Sequence, residues 1–232
     1  MEISLVTTNN HKLIEAKLAL KQYNIKVTQI NDEKIEHKDD TVENTAKANA
    51  ELFANKYNRP VIVEDTGIFF EAYPNFPGNN AKLMFNLLNY KGLLKLLEGE
   101  SRKAYFKTAI GYCEPGKKPI SFYGIAKGTI AHTSNGKRGT VFDKIFIPEG
   151  FSTTAAELTE NQMANFWAKS FAHWSEFSDY IENPNALCFL ALKGELTDCQ
   201  KMDLQTINWI ERKTKPNKEK AILNNKLAPL DW

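Results

Sequence analysis

Residues 61–78 read VIVEDTGIFFEAYPNFPG, and the fold turns on how this stretch is divided. Val61, Ile62 and Val63 are β-branched and suit a strand buried on both faces. Glu64-Asp65-Thr66-Gly67 follows at once, two acids and the small residues of a turn. A second apolar run comes next, and Pro74, Pro77 and Gly78 close it. This reading puts a carboxylate pair at the end of a buried strand, where open α/β sheets bind their ligands. Two explanations are open. Asp65 caps a turn whose unusual backbone angle Gly67 supplies, or Asp65 beside Glu64 holds a hard divalent cation completed by phosphate oxygens and water. Thr66 and Gly67 are small enough for a ligand to approach the backbone.

Upstream, Ile3 to Val6 is a strand, residues 7–12 (TTNNHK) a polar connection, and Leu13, Ala16 and Leu20 mark one face of a helix. Ile25 to Ile30 is a second strand, Asn31 to Thr41 an acidic loop, and Val42 to Tyr57 a helix with Ala46, Ala50, Phe53 and Ala54 on its apolar face. The order β-α-β-α-β predicts an α/β sheet with helices on its faces. Downstream, the pattern predicts a helix over Ala81–Leu97 and strands over 104–112, 120–124, 127–131 and 145–147. A long helical stretch over 155–180 ends at Asn183-Pro184.

A chain of 232 residues is large enough to bury a real core, and its net charge of +2 favours neither nucleic acid nor membrane. Its 3 cysteines, Cys113, Cys188 and Cys199, lack metal-ligand spacing and predict free thiols in a reducing compartment. No basic leader precedes an apolar run, and no window nears the roughly 18 apolar residues of a span. The expected location is therefore the cytoplasm. From 183 onward the character changes. Residues 200–213 suit an amphipathic helix, and residues 211–226 carry six basic side chains against two acidic ones. This tail is either a solvated terminus or a surface for RNA or a partner.

Two further groups of residues suit phosphate. Thr7, Thr8, Asn9 and Lys12 lie between a strand and a helix, so hydroxyls, amides, an ammonium and helix N–H groups share one space. Lys47 lies one turn after Glu43 and either reaches a phosphate or pairs with that acid. Glu33, Glu36, Asp39, Asp40 and Glu43 are candidates for a second metal ligand.

The order of these pieces resembles the inosine triphosphate pyrophosphatase family, hydrolases of non-standard purine nucleoside triphosphates. Its T-x-N-x-x-K loop is matched by Thr7, Asn9 and Lys12, and its E-N-A-x-x-K-A-like helix by residues 43–48. Its [DE]-D-[ST]-G-L segment and following P-G are matched by Glu64–Ile68 and Pro77-Gly78, and its G-L-x-x-L-L by Gly92 to Leu97. Gly139 to Pro148 resembles its G-F-G-[YW]-D-P-x-F-x-P loop, and Thr154 to Leu158 its T-x-A-E-L. The resemblance covers residues 3–181.

It implies an elongated mixed β-sheet with flanking helices and a central nucleotide-binding cleft, a homodimer, and Mg²⁺-dependent cleavage of a nucleoside triphosphate to monophosphate and pyrophosphate. It divides the chain into a domain over 1–182 and an extension over 183–232. It also implies that Thr7 to Lys12 and Lys47 hold the triphosphate, with Glu64, Thr66 and Gly67 lining the site. Asp65 is the metal ligand or base, Glu36 the second metal ligand, and Phe142 and Asp143 meet the nucleobase.

The purine-reading half departs from the pattern. Where the family carries a Lys and then S-H-R, this chain has Met163, Trp167, Ala168 and Lys169, and only Lys169 keeps a positive charge. In the base loop Thr140, Val141 and Lys144 replace a Phe, a Gly and a Pro. Three readings are open: an active enzyme whose base stacks on Trp167 or Phe142, the family's substrates read by other residues, or a nucleotide-binding sensor acting through the extension.

Overall fold

The computed structural model describes residues 2–21, 23–35, 41–170 and 173–182. Strand β1 (Glu2–Val6) leads through helix α1 (Asn10–Lys21), β2 (Lys26–Ile30) and α2 (Val42–Tyr57) into β3 (Val61–Phe70). Then come β4 (Pro77–Gly78), α3 (Ala81–Leu96), β5 (Lys103–Cys113), β6 (Ile120–Ile130) and β7 (Phe146–Pro148). Helices α4 (Glu160–Ser170) and α5 (His173–Glu182) complete the described chain, with short 3₁₀ turns at Phe142–Lys144 and Ala155–Glu157. The strands form one mixed sheet in the order β2-β1-β3-β5-β6-β7, with β4 on β3. No described helix is long and apolar enough to cross a membrane.

Alternation along β3 explains the layers. Ile62 packs with Ala16 and Leu20 of α1 and with Trp174, Phe177 and Tyr180 of α5. Val61 and Val63 face the other way, against Ala50, Phe53 and Ala54 of α2. Further along, Ile68 and Phe70 join Leu93, Phe106, Phe142, Phe146 and Phe166 in a separate core. The face of β3 that carries Ile62 therefore reads apolar, then polar at Glu64 and Thr66, then apolar again. Thr108 lies opposite Thr66 on β5 and continues the polar strip. That strip, between two hydrophobic cores, is the floor of a central cleft. Each fully buried apolar side chain stabilises by about 1.5–3 kcal/mol. The two cores can therefore offset the cost of withdrawing Glu64 and Asp65 from water, provided each carboxylate finds a cation.

Several sequence expectations need correcting. Glu64-Asp65-Thr66-Gly67 is neither a turn nor a strand end: β3 pairs antiparallel with β5 without a break from Val61↔Cys113 to Phe70↔Ala104. Only the parallel pairing with β1 stops early, at Leu5↔Ile62. Gly67 has no left-handed φ, and its missing side chain makes room for β4 rather than for a ligand. A Cβ there would lie 2.9 Å from Phe69 Cε2 and 3.0 Å from the Gly78 carbonyl carbon. The strands expected at 120–124 and 127–131 are one strand, β6. The helix expected over 155–180 does not begin as one piece: the turn Ala155–Glu157 is cut off from α4 because Leu158 is extended (φ −66, ψ 151). Consecutive capping boxes at Thr154/Glu157 and Thr159/Gln162 then restart it. The amphipathic helix expected at 200–213 and the basic tail lie outside the described residues.

Candidate active site

β3 runs past the end of β1, which brings the β1–α1 connection beside its polar strip. Thr7 fixes that connection: its N–H donates to Ile30 O, and its Oγ1 accepts from Asn9 N, both at 3.0 Å. Gln29 Nε2 donates to the Thr7 carbonyl at 2.9 Å. Thr8 and Asn9 are exposed just ahead of α1. From the first turn of α1, Lys12 Nζ meets Glu64 Oε1 at 3.1 Å and donates to Thr66 Oγ1 at 3.4 Å. Burial, the largest influence on Lys12, lowers its pKa, but Glu64 and Asp65 together hold the ammonium above the usual lysine range.

Asp65 leaves β3 by the opposite face, since neighbouring residues on an extended strand alternate. Its Oδ1 is paired with Lys34, whose ammonium also donates to the Glu64 carbonyl at 3.3 Å. Lys34 comes from the β2–α2 connection, which is clamped on both sides of it. Asp32 accepts from Tyr57 Oη at 2.7 Å and from Lys56 Nζ at 2.5 Å. Asn49, fully buried in α2, accepts from Ile35 N at 2.7 Å and donates to Ile35 O at 2.9 Å. The carboxylates are therefore two sites with one lysine each, not a pair converging on one face.

Lys47 is buried in α2, where that helix presses backbone to backbone on β5. A Cβ on Gly111 would overlap the Ala46 carbonyl oxygen. Glu43, expected as a competitor for Lys47, is instead held by Lys107, which also lies 4.5 Å from the Tyr123 ring.

Across the cleft, Phe142 and Asp143 sit in the 3₁₀ turn before β7. Phe142 gives its ring to the core, edge-on to Phe85 at 6.2 Å, so its side chain does not offer an open stacking face. Trp167 packs on Phe106 at 5.4 Å and Phe166 at 4.9 Å and lies half-buried against the core. Asp143 is buried, which pushes its carboxyl up, against hydrogen bonding from Thr140 that lowers it. Gly139 (φ +70) is required there twice over, because a Cβ would also run into the Asp143 carboxylate. One turn after Lys12, Glu15 is pushed up to about 7: partial withdrawal from water is the largest cause, with repulsion from Glu64 and Asp143 added and Lys12 opposing. The shallow concavity lined by Lys17, Lys21, Asn24, Ile25, Lys26 and Val27 contains none of these groups.

A sequence profile of the Ham1 family matches residues 3–173. The chain belongs to the Ham1 family. It is 43% identical over 159 residues to a dITP/XTP pyrophosphatase of Methanopyrus kandleri, covering 68% of this chain and 85% of that protein. A dITP/XTP pyrophosphatase of Saccharolobus solfataricus is 40% identical over 180 residues, covering 76% and 93%. Solved structures share the fold. A HAM1 protein from Coxiella burnetii superposes with TM-score 0.65 at 24% identity, covering 78% of this chain and 98% of that one. A nucleoside-triphosphatase / dITP/XTP pyrophosphatase from Mycobacterium abscessus gives 0.62 at 23%, covering 73% and 94%.

Within this Ham1-family fold, the sequence-predicted residues are only partly brought together. Thr7, Lys12, Glu64 and Thr66 share one wall, and Asp65 lies on the far face of the same strand. Glu36 lies outside the described residues, as does the side chain of Lys169 in α4. Sequence reasoning missed Lys34, Glu15 and Lys107. Lys34 was masked by the acids around it, whereas Glu15 was legible as the residue one helical turn beyond Lys12.

Among the described residues no group of three or more His, Cys, Asp or Glu side chains converges. Asp65 on one face of β3, and separately Glu64 on the other, with its Oε2 buried without a hydrogen-bond partner, remain as carboxylate oxygen donors. A hard divalent cation suits a carboxylate oxygen of this kind and takes its other ligands from water and phosphate.

Proposed function

We propose that this chain is a nucleoside triphosphate pyrophosphatase that cleaves non-standard purine nucleotides such as ITP, dITP or XTP to the monophosphate and pyrophosphate. The observation that carries this reading is Lys12, delivered by the Thr7 turn onto Glu64 and Thr66 in a Ham1-family cleft. The names of the relatives from Methanopyrus and Saccharolobus support the substrate class.

In this mechanism the Thr7–Asn9 turn, Lys12 and Lys47 bind the triphosphate oxygens. Glu64 holds Lys12 in position, and Asp65 accepts a proton from the attacking water. The water oxygen bonds to the α-phosphorus as the bridging bond to the β-phosphoryl oxygen breaks, and pyrophosphate leaves. Mg²⁺, for which Asp65 is the proposed ligand with Glu36 as a second, supplies charge neutralisation on the phosphate oxygens. Positioning and charge stabilisation carry the rate, because little covalent chemistry is asked of the protein. A homodimer, a cytoplasmic location and a separate role for residues 183–232 are further parts of this reading.

A shifted base preference is the second reading. It is favoured by the burial of Phe142 in the core, with Trp167 half-buried against it, and by the replacement of the basic motif at 163–169. Purified protein with Mg²⁺ should release pyrophosphate from ITP, dITP or XTP, and Asp65→Asn should lower kcat/KM by about a hundredfold or more. Asp65-dependent release from another base instead would establish the shifted preference. No release from any nucleotide, with binding retained, would refute the enzyme.

A further inference from the structure

Lys34, paired with Asp65, has no part in the proposed mechanism. Its ammonium sits on the carboxylate to which that mechanism assigns the metal, and its backbone is held there. Asp32 is tied to Lys56 and Tyr57 on one side, and Ile35 to Asn49 on the other. A surface lysine that met an acid by chance would need neither anchor. Lys34 is mostly withdrawn from water, with 24% of its side chain exposed against 6% for Asp65, so solvent screens the pair only in part. Lys12 is differently placed: it reaches Glu64 on the other face and shares Thr66 with it.

We infer that Lys34 is a positioning residue that holds the Asp65 carboxylate and competes with the divalent cation for it, and so sets how much metal the protein needs. The inference rests on the assignment of the cation to Asp65. An ammonium and a divalent ion on one carboxylate repel each other, so the ion binds Asp65 only by displacing Lys34. The Lys34 pair fixes the direction of the Asp65 carboxylate on the α2 face of β3, and its second contact, to the Glu64 carbonyl, fixes the ammonium relative to the strand.

The test is Mn²⁺ binding to the full-length protein without nucleotide, followed by electron paramagnetic resonance or calorimetry. Lys34→Met should bind Mn²⁺ about five- to tenfold more tightly than wild type. It should also reach half-maximal activity at a correspondingly lower Mg²⁺ concentration, and Lys34→Arg should restore wild-type behaviour in both. Lys34→Gln serves as a second neutral variant should the methionine protein fold poorly. Equal or weaker Mn²⁺ binding by the neutral variants overturns the inference. Adding Asp65→Asn separates the two ideas. If tight binding in the Lys34→Met protein survives loss of Asp65, the cation sits elsewhere, and the metal assignment fails along with the competition. If it is lost, the assignment stands and the competition is measured on it.

Discussion

Replacing Asn49 with alanine tests how the site is held, because this amide joins α2 to the connection that carries Lys34. Asn49 is 0% exposed. It accepts from Ile35 N at 2.7 Å and donates to Ile35 O and to Thr45 O, both at 2.9 Å. A typical hydrogen bond contributes about 1 kcal/mol net, so three suggest roughly 3 kcal/mol. Two corrections reduce this. Ile35 is 51% exposed, so water can reach its freed backbone groups, and Thr45 O lies inside α2, where the helix supplies a second donor. The expected loss is therefore about 2 kcal/mol, read as a lowered urea midpoint with an unchanged slope. Asn49→Asp should cost more at neutral pH, since a buried carboxylate would face two carbonyl oxygens. Its pKa would be raised, so the native state would hold a proton that the unfolded chain has released. Stability would then fall as pH rises from about 4 towards the raised value. A loss below about 0.5 kcal/mol for Asn49→Ala, or an Asn49→Asp protein no less stable at pH 7 than at pH 4, would refute the clamp.

Gly111→Ala should destabilise by about 3 kcal/mol or more, because its Cβ meets the Ala46 backbone rather than a movable side chain; a thermal midpoint within 2 °C or so of wild type would contradict that. Partial withdrawal from water and repulsion from Glu64 push Glu15 up to about 7, so its cost to stability is absent at pH 4 and fully present above pH 7. Because the side chain still reaches solvent, screening limits that cost to about 1 kcal/mol or less. Glu15→Gln should match wild type in urea at pH 4 and exceed it slightly at pH 8, and an equal difference at both would rule out titration as the cause. Trp167→Leu should lose about 2–4 kcal/mol of stability while leaving the ratio of kcat/KM for inosine and guanosine nucleotides unchanged. A tenfold change in that ratio would place Trp167 against the base.

What the sequence made legible follows from what is local. The β-α-β-α-β order, the apolar face of α2 and the polar β1–α1 connection each depend on side chains near one another in the chain, and each appears as read. The reading of residues 61–78 failed where the deciding partner is distant. Glu-Asp-Thr-Gly looks like a turn, but ten consecutive pairings with β5, from Val61↔Cys113 to Phe70↔Ala104, keep it extended. Local turn preference is worth less than that ladder. Phe142 looks like a ligand contact in its loop, and only its packing on Phe85 shows that it belongs to the core, while Trp167, readable either as core or as ligand contact on its helix, lies half-buried against Phe106 and Phe146. Lys34 could not be found from spacing, because its position is set through the neighbouring Ile35 by Asn49, fourteen residues beyond Ile35 and in another element.

Once the strand continues, the two adjacent acids acquire separate roles. A strand end could aim both carboxylates at one ion, whereas a straight strand sends Glu64 to the α1 face and Asp65 to the α2 face. Each face then needs its own cation, and the chain provides Lys12 from one connection and Lys34 from the other. The division suits a reaction in which one carboxylate keeps a phosphate-binding lysine in place while the other is left to take a proton from water. It also accounts for the clamp on residues 32–35. Lys12 is positioned by the helix it belongs to, but Lys34 comes from a connection that would otherwise wander, and an unpaired, buried Asp65 would cost several kcal/mol.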